Sequence, residues 1–231
     1  MLLELEKKPK GVTIITGFPG FGLIGTIATE FLIEHLNAVQ IGKIRIDEVP
    51  PVVAVHQGKV VEPLGIFYDK KYNLVLIHAL TSVTNIEWKL EAQICKLMDE
   101  LKAKKVIIIE GIGSKGTNDP NVYYLSNVKE DAKKLNLVPL KEGIIIGISG
   151  ALLLNHCVNL LSLFAETHST LPDSRAAARV IGILDKYLNL KVDYKPLLEK
   201  AAIFESKLKT IMENKEKVSA ARDNKELTYL G

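Results

Sequence analysis

Residues 12–36 read VTIITGFPGFGLIGTIATEFLIEHL. The β-branched run Val12–Thr16 has the composition of a strand, glycines then punctuate the chain, and from about Leu23 to Leu36 apolar residues recur at helical spacing. Strand, glycine turn and helix in that order open an α/β fold. Gly20, Gly22 and Gly25 also carry the G-x-G-x-x-G spacing, in the context where that spacing binds a dinucleotide phosphate. Two parts of that chemistry are missing. About 20 residues on, where a carboxylate is due for the ribose, stand Ile41 and Gly42, and no Lys or Arg occurs between Gly11 and Lys43. Phe18, Pro19, Phe21 and Leu23 surround the glycines instead. The stretch from Gly17 to Gly25 is therefore read as a tight turn that lets helix and strand pack closely, with phosphate binding as the alternative.

Outward from this unit, Val39 to Ile46 reads as a strand. VVAVH and KVVEP flank Gln57-Gly58 at hairpin spacing, and GIFYD and LVLIHAL form a second hairpin around Lys70 to Asn73. Thr84 and Glu87 have capping-box spacing, and Ile86, Leu90, Ile94, Leu97 and Leu101 share one helical face. That helix leads into the apolar strand VIIIE at 106–110, a loop GIGSKGTNDP, a polar helix from about Asn127, and a strand at 143–148. The apolar residues after Gly150 read as a buried helix, Pro172 to Leu188 as another, and Pro196 to about Arg222 as a long charged one. Strands alternating with helices predict a three-layer α/β/α core around a mixed, mostly parallel sheet. The division expected is a core domain over 1–190, a C-terminal helix over 191–222 and a flexible tail over 223–231. In the last helix Leu197, Ala201, Phe204, Leu208, Ile211 and Val218 keep a seam, broken at Lys215, that fits either its own domain or another subunit.

Composition narrows the function classes. With 47% hydrophobic residues among 231, the chain can bury a sizeable core. Lys+Arg 30 against Asp+Glu 27 leaves a formal charge of +3, too balanced for a dedicated nucleic-acid binder. Cys95 and Cys157 are far apart and no His cluster has ligand spacing, so neither a disulfide scaffold nor a metal site is expected. That cysteine usage fits a reducing cytoplasm, and the N-terminus, with Glu4 and Glu6 and no long apolar core, is not read as a signal peptide. Residues 143–165 carry no charged Asp, Glu, Lys or Arg, but Ser149, Gly150, Asn155, His156 and Asn159 interrupt them, so they are not read as a membrane span.

Two further stretches invite a functional reading. GIGSKGT at 111–117, including Gly113, has the residue types of a phosphate loop in the wrong order, though it follows a strand where open α/β sheets place ligands. FAETHSTLPDSRAAARV places Glu166, His168, Asp173 and Arg175 close together, an acid/base cluster if a cleft gathers them. Asp173 and Pro172 equally suit the start of a helix, whereas Glu166 has no such explanation. His156 and Trp88 are read as packing residues.

GFPGFGLIGTIA at 17–28, EGIGS at 110–114, GISGALL at 147–153, and AET followed by PDSRAAA at 165–178 together resemble the archaeal branch of the proteasome assembly chaperone family. The resemblance runs from the first strand to the helix after Pro172. It implies a core like that of the purine nucleoside phosphorylases, and a homo-oligomeric, cytoplasmic chaperone of 20S proteasome α-subunits or their ring. It implies no cofactor, catalytic residue, nucleic acid or membrane. Family members are held to dock through a tail ending hydrophobic-Tyr-X, which points here to Leu227, Tyr229, Leu230 and Gly231. Tyr229 stands third from the end and follows Thr228, a departure from that pattern. On this view the turn is scaffold, with Phe18, Phe21 or Leu23 available to a protein contact. The alternative is a nucleotide- or nucleoside-binding enzyme using the glycine loops, with Glu166 or Asp173 as acid/base.

Overall fold

The strand expected from VTIIT runs over Thr13–Gly17, and both Ile14 and Ile15 in it are fully buried although they face opposite sides. A strand shielded on both faces lies in a sheet covered twice over. The structure, a computed structural model, describes residues 1–48, 54–56, 59–114, 120–155, 159–168 and 170–199. In chain order its elements are β1 (Leu2–Leu5), β2 (Thr13–Gly17), a single 3-10 turn at Phe21–Leu23, α1 (Ile24–His35), β3 (Val39–Arg45), β4 (Ala54–His56), β5 (Lys59–Val61) and β6 (Leu64–Asp69). There follow β7 (Leu74–Ala79), α2 (Glu87–Leu101), β8 (Lys105–Gly113), β9 (Val122–Ser126), α3 (Lys129–Leu135), β10 (Val138–Pro139), α4 (Ile148–Leu154), β11 (Leu160–Thr167) and α5 (Ser174–Leu188).

Nine strands form one sheet in the order β1-β3-β6-β7-β2-β8-β11-β9-β10. Its centre is parallel: β2 pairs with β7 and β8, and β8 with β11. The flanks are largely antiparallel, through β1–β3, β3–β6, β6–β7 and β11–β9, with a short parallel β9–β10 pair at the edge. The sheet is thus mixed as expected, and its parallel pairing belongs mainly to the middle. The hairpin expected around Gln57-Gly58 is the separate β4–β5 pair, its turn lying outside the described residues.

Alternation along the central strands divides the interior into two cores. Ile14, Val106 and Ile108 meet Leu90, Ile94, Leu97 and Leu101 of α2 and Leu152 of α4. Ile15, Ile107, Ile109 and Leu163 meet Ile24, Ala28 and Leu32 of α1 and Ala177, Ile181 and Leu184 of α5. Each fully buried Leu or Ile contributes about 1.5–3 kcal/mol relative to exposure, so the two layers of helices are held by many such side chains. Among the described residues no helix is long and apolar enough to cross a membrane.

Several local expectations are corrected. Residues 143–147 form no strand: Ile144 and Ile146 are 93% and 74% exposed, and α4 begins at Ile148. The helix expected after Gly150 is instead the end of α4 followed by β11, which pairs with β8 over its whole length. A continuous apolar run suits either element, and here the open edge of β8 decided it. Glu166 therefore ends a strand, not a helix. The Thr84–Glu87 capping box is not made: Thr84 bonds Ser82, and α2 starts at Glu87 with Ile86 at the N-cap and no side-chain cap. Gly111–Gly113 belong to β8, and 115–119 lie outside the described residues. Residues 195–199 are helical and Leu197 is buried against the α1/α5 core. The remainder of the predicted C-terminal helix, and the tail residues Leu227, Tyr229, Leu230 and Gly231, lie outside the described residues.

Candidate functional site

Because β7, β2, β8 and β11 are parallel, their carboxyl ends share one edge of the sheet, where open α/β folds place their sites. That edge holds His78, Gly17, Glu110 and Thr167. The chain leaves β2 at Gly17 and reverses into α1 through the turn Phe21–Leu23, with Gly22 at φ 65° and Leu23 at φ 49°. A side chain on Gly22 would be strained by that φ and would stand 3.0 Å from Thr167 Oγ1. Close approach explains three other glycines. An added Cβ would lie 2.1 Å from Gly25 O at Gly17, 2.7 Å from Ile109 O at Gly25, and 2.0 Å from Phe21 O at Gly111. Main chain occupies the space beside these glycines, so the turn serves helix–sheet packing. Gly20 and Gly113 are open by comparison, their nearest neighbours Glu110 Oε1 and Phe21 Cε1 each at 4.0 Å.

On the α2/α4 side the turn borders a small cleft of about 80 Å³, lined by Phe18, Pro19, Gly20, Val83, Glu110 and Ile146 among others. Among the described residues its charged lining is two carboxylates, Glu87 and Glu110, and no cation. Burial pushes the Glu110 carboxyl above its ordinary value, and the Ser149 hydroxyl bonded to it draws it part of the way back. Glu110 Oε2 is buried without a hydrogen-bond partner. A phosphate brought to Gly20 would meet a carboxyl group and, among the described residues, no balancing cation, the reverse of an anion site. Sequence reading did not single out Glu110; its place at the end of an all-apolar strand was the available signal.

On the other side Asp173 is a structural cap. Its Oδ1 accepts from Ala176 N at 2.9 Å, its Oδ2 from the Thr167 hydroxyl at 2.8 Å, and its own N–H donates to Gly22 O at 2.8 Å. The end of β11, the start of α5 and the glycine turn are thereby tied together. Glu166, one residue from Thr167, points to the opposite face. Its carboxylate accepts from Asn121 Nδ2 at 2.8 Å and the Tyr123 hydroxyl at 3.1 Å, and that bond raises the Tyr123 pKa. Glu166 and Asp173 therefore do not form an acid/base pair, and His168 and Arg175 are exposed beyond them.

His78, also missed in the sequence, is buried at the end of β7 with Nδ1 2.9 Å from Thr29 Oγ1. Burial lowers its pKa from 6.5 to about 4, so it is neutral at pH 7 and joins β7 to α1. In the cleft lining Ile146 is 74% exposed, and Phe21 of the turn and Trp88, which follows the lining residue Glu87 in sequence, are 48% and 64% exposed. Exposed aromatic and branched side chains beside a shallow cleft suit contact with another polypeptide. The four motifs scattered along the sequence meet here, through the glycine turn, Glu110–Gly111, Gly147–Ser149, and Thr167 with Asp173.

The sequence profile of the PAC2 family matches residues 14–212, and the chain belongs to that family. An uncharacterized protein of Methanocaldococcus jannaschii is 28% identical over 205 residues, 87% of this chain and 85% of that protein. The monoclinic crystal structure of Pyrococcus furiosus PbaA, an archaeal homolog of proteasome-assembly chaperone, matches with a TM-score of 0.82 and 27% identity over 98% of both chains. Pyrococcus furiosus PbaB, an archaeal proteasome activator, matches with a TM-score of 0.76 over 91% of this chain and 98% of its own. At 21% identity that second likeness shows the fold alone. The resemblance read from the motifs is borne out.

Proposed function

We propose that this protein is a homo-oligomeric chaperone or adaptor of the 20S proteasome, engaging α-subunits or the α-ring through Leu227, Tyr229, Leu230 and Gly231. The observation that carries this reading is the whole-chain likeness to PbaA, an archaeal homolog of proteasome-assembly chaperone, at 27% identity. The glycine turn supports it from the other direction, since Gly17, Gly25 and Gly111 are packed by main chain and Gly20 faces Glu110. A turn of that kind presents Phe21 to a protein surface more readily than it holds a phosphate. In this reading residues 1–190 are a core of the purine nucleoside phosphorylase type, 191–222 a helix carrying the tail outward, and 223–231 the docking element, working in the cytoplasm. Several tails on one oligomer would each bind weakly and together gain avidity.

The test is retention of the full chain on immobilised, purified proteasome α-subunits, beside a variant ending at residue 226, with native mass measured for each. Retention of the full chain as an oligomer and loss on truncation is expected. Equal retention would remove the tail from the mechanism, and no retention of either would remove the α-subunit as partner.

A further inference from the structure

Away from the glycine turn, α5 carries a cationic stripe. Arg175, Arg179 and Lys186 are spaced by four and seven residues, which puts them on one face of the helix with Ile183 between the last two. Arginines one turn apart repel each other along a helix. Lys134 at the end of α3, Leu137 just after it and Leu198 join this stripe in the lining of a cavity of about 540 Å³. Among the described residues four cations line that cavity and no carboxylate does. Lys134, Arg179 and Lys186 form no ion pair among the described residues. Two carboxylates on the same helices are engaged: Asp131 of α3 with Lys105, Ser126 and Tyr187, and Asp185 of α5 with the Val192 N–H.

The uncharged lining residues bear on which anion fits. Leu137, Ile183 and Leu198 interleave apolar side chains with the cations of the lining, which suits a peptide carrying both carboxylates and an apolar side chain. The two aromatic rings of the lining are committed elsewhere. The Tyr187 hydroxyl donates to Asp131 at 2.6 Å, and Tyr194 lies against α5 where an added Cβ on Gly182 would be 3.2 Å from its Cζ. Neither ring is free as a stacking platform for bases. We propose that this groove docks an acidic segment of a partner polypeptide, its carboxylates paired with Arg179, Lys186 and Lys134 and an apolar side chain between them seated over Ile183. Arginine holds carboxylates through paired, charge-assisted hydrogen bonds, which makes Arg179 the main anchor. The proposal goes beyond the proteasome reading and stands without it, because no tail residue takes part.

The experiment is fluorescence anisotropy on the full chain with a labelled peptide of three Glu-Glu-Leu repeats, its Lys-Lys-Leu counterpart, and a uridine decamer RNA. The natural chain is compared with Arg179→Glu/Lys186→Glu and with Lys7→Glu/Lys96→Glu, a reversal of equal charge at exposed positions outside the groove lining. The acidic peptide alone is expected to bind. It should weaken by at least about tenfold in the groove variant through loss of charge-assisted hydrogen bonds, and keep its affinity in the control. Binding should also weaken between about 50 and 300 mM salt as screening grows. Arg179→Gln/Lys186→Gln, with folding checked by circular dichroism, gives an intermediate loss and serves if the reversal does not fold. Absence of peptide binding, equal binding by the groove variant, or RNA binding as tight and as dependent on Arg179 and Lys186 would each overturn the proposal.

Discussion

Thr29 Oγ1 and His78 Nδ1 stand 2.9 Å apart in the interior, joining α1 to the carboxyl end of β7. The Thr29 hydroxyl also reaches Gly25 O at 3.0 Å, within its own helix. Burial lowers the His78 pKa from 6.5 to about 4, so the unfolded chain takes up this proton first as pH falls. Stability from the neutral ring is complete above about pH 6.5 and is lost as pH falls toward 4, by about 3 kcal/mol over the window. Urea denaturation across that range should show the loss in the natural chain and a flatter profile in His78→Leu. Parallel profiles would mean that the ring is not held neutral.

Glu110 titrates in the opposite sense. Burial raises its pKa above 4.5, so folding disfavours the charged form, and stability is lost as pH rises through the folded value. Glu110→Gln keeps a partner for Ser149 and removes the charge. Thermal melts should place the variant above the natural chain at about pH 8 and bring the two together near pH 4.5. A variant that melts lower at both pH values would show that the carboxylate stabilises the fold where it lies, contrary to its raised pKa.

The glycine turn makes a steric prediction that separates packing from ligand binding. In Gly25→Ala the new Cβ would meet the Ile109 carbonyl at 2.7 Å, a main-chain atom that cannot swing aside. Overpacking of this kind costs about 1–3 kcal/mol. Gly20 has extended backbone at φ −153° and no neighbour nearer than 4.0 Å, so Gly20→Ala should fall within about 0.5 kcal/mol of the natural chain. Chemical denaturation of the two variants checks the contrast, and equal costs would refute the packing account.

What could be read in the sequence follows how local each determinant is. The unit from β2 to α1 was legible because composition and helical spacing sit within one stretch, and α2, β8 and α5 were legible for the same reason. β11 was not, since Leu160–Ala165 is apolar throughout and only the neighbouring β8 decides between strand and helix. Ile144 and Ile146 misled in the other direction: their β-branched composition reads as a strand, but no partner strand pairs with them and both are exposed. At the site, the glycine spacing was visible while its meaning was not. That meaning depends on Ile109, Glu110 and Thr167, which lie far along the chain and reach the turn only when the parallel strands align.

Asp173 gives the sharpest test of whether this edge of the sheet is scaffold or chemistry. Its carboxylate caps α5 through the Ala176 N–H and holds the Thr167 hydroxyl, while its main chain holds Gly22. Asp173→Ala removes both side-chain bonds and should cost about 1–2 kcal/mol, the range for losing an N-cap. Asp173→Asn keeps an oxygen that accepts from Ala176 and should restore most of that stability, because asparagine caps about as well as aspartate. An acid or base would behave otherwise: neither substitution need change stability, and asparagine could not replace it, having no proton to exchange. Denaturation midpoints for the natural chain and both variants decide it, and an alanine variant as stable as the natural chain would return Asp173 to the list of chemical candidates.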